Sequence, residues 1–248
     1  MKSRRTHPRT VIWFALALLL SLFAGQQQSI ADSMPKEEFE QRVRDYLLAH
    51  PEAVVEALQA YDARQKQAQE DAAKAALTAR AEEIFRDPAS PVGGNVEGSV
   101  TLVEFFDYNC PYCRQMMPVM EQAVAADPQL RIAYKEFPIL GPDSVFAAKA
   151  ALAANLQGGY AKFHKALFEV KSRITEAVVL KVAANVGLDV ERLKTDMEGT
   201  AIRDTVDRNL QLAQDLGITG TPVFIAGDQI LGGAVPLATL TQLIEQAK

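Results

Sequence analysis

Beyond Cys110 and Cys113 the chain has no cysteine, and this scarcity restricts its chemistry more than any other feature of its composition. A structural zinc centre takes four ligands, and no second cysteine pair is present to complete one. Past the N-terminal segment there are two histidines, His50 and His164, both far from the cysteines in sequence. A disulfide across so short a spacing closes a tiny loop and contributes little chain-entropy stabilisation, so the pair is a poor staple. Redox chemistry is what remains. The chain also lacks a basic excess: the formal net charge is −5. The first 31 residues hold Lys2, Arg4, Arg5 and Arg9 and no acid, so losing those four charges takes the remainder to −9. Without a basic patch or interleaved aromatics, no nucleic acid is expected as a partner. Glycine and proline are not in excess, which excludes fibrous or wholly disordered classes. There is no internal repeat.

What is present begins with a basic stretch to Arg9 and an apolar run of 14 residues from Val11 to Ala24, ending in Ser29-Ile30-Ala31. Basic, apolar and small-residue regions in this order predict a secretory signal peptide, residues 1–31, cleaved near Ala31. The apolar run falls short of the roughly 20 residues a spanning helix needs, and no later run is long enough either. An exported chain meets an oxidising compartment in which disulfides can persist.

Residues 32–86 read as a helical stalk and linker. Phe39, Val43, Tyr46 and Leu47 form one apolar stripe, and Leu47, Val54 and Tyr61 recur at intervals of seven with Leu58 between them. Pro51 marks the first turn of a second helix. From Asp62 to Glu83 the composition favours helix but offers a thin apolar face, with little reason to fold onto a core. An apolar stripe at the far end asks for a partner, most simply another copy of the chain.

Asp87-Pro88 and Ser90-Pro91-Val92-Gly93-Gly94-Asn95 read as a boundary, after which residues 87–248 form the catalytic domain. Val100 to Phe106 is a buried strand by its β-branched and aromatic run, Pro111 to about Ala126 a helix, and Arg131 to Phe137 a second strand. These make a βαβ unit with a right-handed crossover. Residues 143–216 or so are helical, with breaks at Gly158-Gly159, Gly187 and Gly199. Pro222 to Ala226 and Gln229 to Leu231 make a hairpin, and a closing helix covers Pro236 to Ala247. The predicted class is α/β.

In this reading Cys110 caps a helix whose first residue is Pro111, and Cys113 lies one turn inside. The free N–H groups and partial positive charge of a helix start favour the Cys110 thiolate, the attacking species. Cys113 becomes the resolving thiol. Glu104 interrupts an apolar strand six residues before Cys110, and Lys135 interrupts the next strand. A buried carboxylate is costly unless paired or protonated. Adjacent strands are therefore expected to pair Glu104 with Lys135 beneath the site as a proton relay, with a plain structural ion pair as the competing reading. Asp107 and Tyr108 are expected at the mouth of the site, and His164 on a helix surface.

The stretch Val103-Glu104-Phe105-Phe106-Asp107-Tyr108-Asn109-Cys110-Pro111-Tyr112-Cys113 resembles the bacterial DsbA-type periplasmic thiol oxidoreductases. Pro118 is similar to the kink proline of the thioredoxin-fold active-site helix, and Thr221-Pro222 to its cis-proline loop. Phe39 to Leu48 with His50-Pro51-Glu52 resembles the oligomerisation region of the suppressor-of-copper-sensitivity protein C group. The resemblance implies a thioredoxin fold with an inserted helical domain, an acid–lysine pair at Glu104 and Lys135, a cis Pro222, and substrate binding by Thr221. Pro111 and Tyr112 would tune the redox potential. Expected partners are exported proteins with thiols or disulfides, a membrane redox partner, and other copies of the chain, most simply in a trimer. Neither an organic cofactor nor an essential metal is expected. The stalk favours isomerase over dithiol oxidase. Two adjacent thiolates also suit Cu(I), a soft ion, so copper binding at Cys110 and Cys113 is the reading of a different class.

Overall fold

The computed structural model describes residues 34–248. The signal peptide and its cleavage near Ala31 lie outside the described residues. The described residues divide into two compact units, the first ending at Arg64 and the second Gln65–Lys248.

In the first unit, helix α1 (Lys36–Ala49) is supported by an i,i+4 pair in which Arg42 donates to Glu38 at 2.7 Å. Pro51 disfavours helical geometry at His50, which sits at φ −130°, ψ 64°, and α2 (Glu52–Ala79) starts beyond it. No residue of α1 is buried. Phe39, Tyr46, Leu48, Leu58 and Tyr61 are all more than half exposed.

The second unit takes in the end of α2 and the short α3 (Ala81–Arg86). Here the structure departs from the expectation of a stalk with no hold on the core. Leu77 and Ile84 are buried with Phe105, Phe137, Leu212 and Ile218. The thin apolar face is real, but its last turns carry large side chains where they meet the sheet.

The strands are β1 (Val92–Gly94), β2 (Val100–Phe106), β3 (Leu130–Glu136), β4 (Val223–Ala226) and β5 (Gln229–Gly232), in the order β1-β3-β2-β4-β5. β2 and β3 run parallel from Val100↔Leu130 to Phe106↔Glu136, joined by helix α4 (Pro111–Ala126) as the predicted βαβ unit. β4 is antiparallel to β2, with Glu104 opposite Phe224, and β4 pairs with β5 as the hairpin. β1 lies in the segment whose glycines and prolines read as a boundary. It forms by backbone pairing alone, antiparallel to β3. A Cβ on Gly93 would come within 2.8 Å of the Tyr134 ring, and Gly94 has φ 64°, so small residues are required there.

One sheet face packs Leu102, Ile132 and Phe224 against α4 and the closing helix α10 (Leu237–Gln246). The other packs Val103, Phe105 and Ile225 against the Leu77–Ile84 region and helix α9 (Thr200–Asp215). Between β3 and β4 the chain inserts α5 (Pro142–Leu156), α6 (Tyr160–Glu169), α7 (Glu176–Asn185) and α8 (Val190–Met197), followed by α9. Buried alanines of α5, Ala147, Ala150, Ala151 and Ala154 among them, let neighbouring helices approach closely and form a core continuous with Phe106, Cys110 and Cys113.

Candidate active site

The turn from β2 to α4 is held by the buried Asp107 carboxylate. It accepts from the N–H of Asn109 at 2.8 Å, the N–H of Leu140 at 3.0 Å and the Ser144 hydroxyl at 2.8 Å. Cys110 occupies the N-cap of α4 at φ −78°, ψ 119°, and Pro111 fills the first helical position, where no N–H is needed. Pro118 lies inside the same helix. The Thr221–Pro222 peptide bond is cis, and the Cys110 Sγ lies 3.3 Å from the Thr221 carbonyl. Thus Cys110, Pro111, Thr221 and Pro222, 111 residues apart in sequence, meet at one point. Pro111 and Tyr112 are exposed, and Tyr112 is the large apolar side chain of the motif that faces solvent. It joins Gln115, Ile218, Thr221, Pro222 and Ile230 along a groove of about 640 Å³.

The two sulfurs differ sharply in environment. Cys110 is drawn down to about 5, first by the Cys113 thiol, which donates to it, and against the opposing effect of burial. The Thr221 hydroxyl and the N–H groups of Cys113 and Tyr112 add to the fall. Burial pushes the Cys113 thiol far above its ordinary value; its bond to Cys110 and the Glu104 charge push the same way. Cys110 is therefore a thiolate at neutral pH and Cys113 a thiol.

Glu104 is buried on the same sheet face as α4, and burial, then the Cys110 charge, raises its pKa to about 8. The expected pairing with Lys135 does not form. In the parallel register Glu104 lies opposite Tyr134, while Lys135 lies opposite Phe105 and points to the other face. There the fully buried Lys135 Nζ donates to the Glu83 carbonyl at 2.6 Å and to Asp87 Oδ2 at 3.3 Å. Of the two relay candidates, Glu104 alone shares the cysteines' side of the sheet.

Two further expectations are corrected. Tyr108 is not at the mouth of the site and His164 is not on a surface; both are buried. Tyr108 Oη lies 3.2 Å from Glu136 Oε1 and 3.0 Å from His164 Nδ1, and Tyr160 Oη lies 3.0 and 3.3 Å from the same two atoms. Burial holds Glu136 well above the carboxylate range and His164 down to about 3, so both are neutral. Asp107 is likewise buried beneath the turn. Glu136 ends β3 much as Glu104 interrupts β2, and that signal could have found it. His164 is masked because Tyr160, Phe163, Leu167 and Phe168 give α6 a buried face wide enough to include it.

Among the described residues no group of three or more His, Cys, Asp or Glu is placed to hold a metal ion. No described helix is long and apolar enough to cross a membrane.

Comparison with known proteins agrees with this geometry. Residues 101–245 match the family described as DSBA-like thioredoxin domain, and residues 36–68 match the Copper resistance protein ScsC N-terminal domain. A thioredoxin-like oxidoreductase from Silicibacter pomeroyi is 47% identical, superposes with a TM-score of 0.66, and covers 67% of this chain and 96% of its own. Proteus mirabilis ScsC in a transitional conformation is 29% identical with a TM-score of 0.65, covering 86% and 96%. A periplasmic thioredoxin-like protein from Salmonella enterica serovar Typhimurium is 33% identical with a TM-score of 0.59, covering 67% and 94%. Curated relatives include the Na(+)/H(+) antiporter NhaA 3 of Salinispora tropica, 26% identical over 158 residues; the chain spans 24% of that protein's length.

Proposed function

The chain belongs to the DSBA-like thioredoxin-domain family and carries an ScsC-type N-terminal segment, and from that premise we propose that it catalyses thiol–disulfide exchange on exported proteins in the periplasm. The observation that carries this reading is the asymmetry of the two sulfurs: Cys110 thiolate beside the Thr221 carbonyl, Cys113 thiol behind it.

The Cys110 thiolate attacks one sulfur of a substrate disulfide, forming a mixed disulfide and releasing the other substrate sulfur as a thiolate. Two exits follow. In isomerisation the released substrate thiolate attacks a second substrate disulfide, and the thiolate expelled there attacks the substrate sulfur bonded to Cys110, forming a new substrate disulfide and freeing the Cys110 thiolate with no net electron transfer. In reduction, once the mixed disulfide has removed the Cys110 charge that helps keep Glu104 protonated, Cys113 gives its proton to the ionised Glu104 carboxylate and attacks the Cys110 sulfur. The substrate thiolate leaves, two electrons have passed to it, and a Cys110–Cys113 disulfide remains. Reversing these steps is dithiol oxidation, with protonated Glu104 returning the proton to Cys113. The sulfurs carry the electrons, so neither an organic cofactor nor a metal is required by these steps. An extended substrate strand pairs with the backbone at Thr221 and lies in the adjoining groove, which gives affinity with little sequence demand.

The exposed stripe of the first unit, Phe39, Val43, Leu47, Val54, Leu58 and Tyr61, favours a homo-oligomer, a trimer by resemblance to ScsC. Several Cys110 sites around one substrate favour isomerisation, with a membrane partner keeping the thiols reduced. The test is an equilibrium redox titration of the pair combined with refolding of a scrambled-disulfide substrate. Rapid rescue of the scrambled substrate by the reduced protein supports isomerase; no rescue, with fast oxidation of a reduced substrate, supports oxidase.

The copper-resistance description of the N-terminal match supports a second reading, Cu(I) as cargo. Two adjoining sulfurs suit a soft, low-coordinate ion. Reduced protein should bind Cu(I) and oxidised protein should not. Equal binding by a double Cys→Ser variant rules the site out.

A further inference from the structure

A second depression opens beside Cys110, separate from the Thr221–Pro222 groove. It has a volume of about 440 Å³ and is lined by Asn109, Arg114, Leu140, Lys171, Ser172 and Arg173. It shares no residue with the groove. Tyr112 and Arg114 stand two residues apart on α4, about 200° around the helix, so the two depressions lie on different sides of the helix that Cys110 caps.

Three cationic side chains line this depression and no acidic one does. Arg173 is paired with Asp143 at 2.9 Å, while Arg114 and Lys171 make no ion pair among the described residues, and the Arg114 Nε is buried without an acceptor. The backbone that carries these cations is tied to the active-site turn. Asn109, the residue before Cys110, accepts from the Ile174 N–H at 2.9 Å and donates to the Ile174 carbonyl at 3.1 Å. Ile174 is fully buried. This two-bond clamp pins the loop bearing Lys171 and Arg173 to the active-site turn. Arg114 stems from the first turn of α4, its main-chain N–H donating to the Cys110 carbonyl at 3.2 Å. Asp107, the nearest acid in sequence, is spent on Asn109, Leu140 and Ser144. All of this sits in a chain whose residues beyond Ala31 carry a net −9. The local sign opposes the global one.

Building on the exchange reaction above, we propose that Arg114, Lys171 and Arg173 form a carboxylate subsite that selects polypeptide substrates with Asp or Glu beside the reacting cysteine. A strand paired at Thr221 with its cysteine at Cys110 continues, on the Asn109 side, into this depression. An acidic residue there meets two otherwise unpaired cations and accepts the orphaned Arg114 N–H. The long-range field of the protein repels such a substrate, so a preference for it can only come from local contacts.

The test uses single-cysteine peptides, each joined through a disulfide to a fluorescent reporter thiol and differing only in Glu, Gln or Lys at the flanking positions. Reporter release by the full-length protein should follow Glu over Gln over Lys, with Glu about three- to tenfold ahead of Lys at low salt and the gap closing at high salt. In the Arg114→Gln/Lys171→Gln variant the ratio should fall to one or invert, and Arg114→Lys/Lys171→Arg should restore it. Cys110-dependent release with no charge preference, or a Glu preference that survives in the Gln variant, overturns the subsite alone. Equal release by wild type and Cys110→Ser overturns the exchange reading and the subsite with it. Oxidised glutathione is the small-molecule arm: charge-dependent reactivity confined to it, with peptides indifferent, overturns the assignment to polypeptides.

Discussion

The chemistry turns on a few ångströms around two sulfurs. Cys110→Ser should abolish exchange and Cys113→Ser should accumulate mixed disulfides; alkylation at mildly acidic pH should label Cys110 first, and faster labelling of Cys113 would reverse the roles. The pH dependence follows from the shifts. Cys110 falls from 9 to about 5 on folding, so its stabilisation of the reduced form is complete above pH 9 and lost as pH drops through 5. Reduction therefore takes up two protons below pH 5 and one above it, and the midpoint potential should change slope there from about 60 to about 30 mV per pH unit. Glu104 adds to this, because the thiolate helps raise it to about 8 and reduction draws a further fraction of a proton onto it. Wild type should thus exceed the lower slope up to about pH 8, and Glu104→Gln should not; identical profiles would leave Glu104 a structural residue. The cysteines and Glu104 were legible because each breaks a local pattern. The Lys135 partnership was not. A one-residue change in register sends a side chain to the opposite face, and the register of β2 on β3 is set by how α4 crosses over, which no local pattern reports.

Whole elements were easier to read than their attachments. Strand β2, helix α4 and the β4–β5 hairpin follow from hydrophobic runs and turn residues that act locally. β1 was hidden since Gly93 and Gly94 have no strand preference of their own and are chosen for what they leave room for, the Tyr134 ring and a left-handed turn. The hold of α2 and α3 on the sheet was hidden too, because Leu77 and Ile84 are its two buried large side chains and they stand in a long polar stretch. This has a consequence for truncation. A fragment starting at residue 87 loses both side chains and the Glu83 carbonyl that receives Lys135, whereas one starting at Gln65 keeps them. Ile84→Ala should cost about 2–5 kcal/mol in denaturant unfolding of the residue 65–248 fragment. A loss below about 0.5 kcal/mol would mean that α3 is only draped on the sheet.

For the molecule as a whole, the proposed oligomer would let the first unit decide what the second one accomplishes. Full-length mature protein should scatter light as an oligomer and residues 65–248 as a monomer. The fragment should lose isomerase activity in scrambled-substrate refolding while keeping or gaining dithiol oxidase activity. A monomeric full-length protein, or a fragment that isomerises equally well, would remove the reason for preferring isomerase. The burial of Cys113 bears on the same choice through time. On the proposed mechanism the burial of Cys113, which persists when the Cys110 charge is lost to the mixed disulfide, would make its protonated thiol a slow escape route from the covalent complex, a built-in delay. During that delay the captured polypeptide can search among its own cysteines, and the longer the wait, the more captures end in a rearranged substrate before Cys113 cuts the link. Whatever loosens the hold on that proton shortens the wait and turns a patient shuffler into a quick reductant.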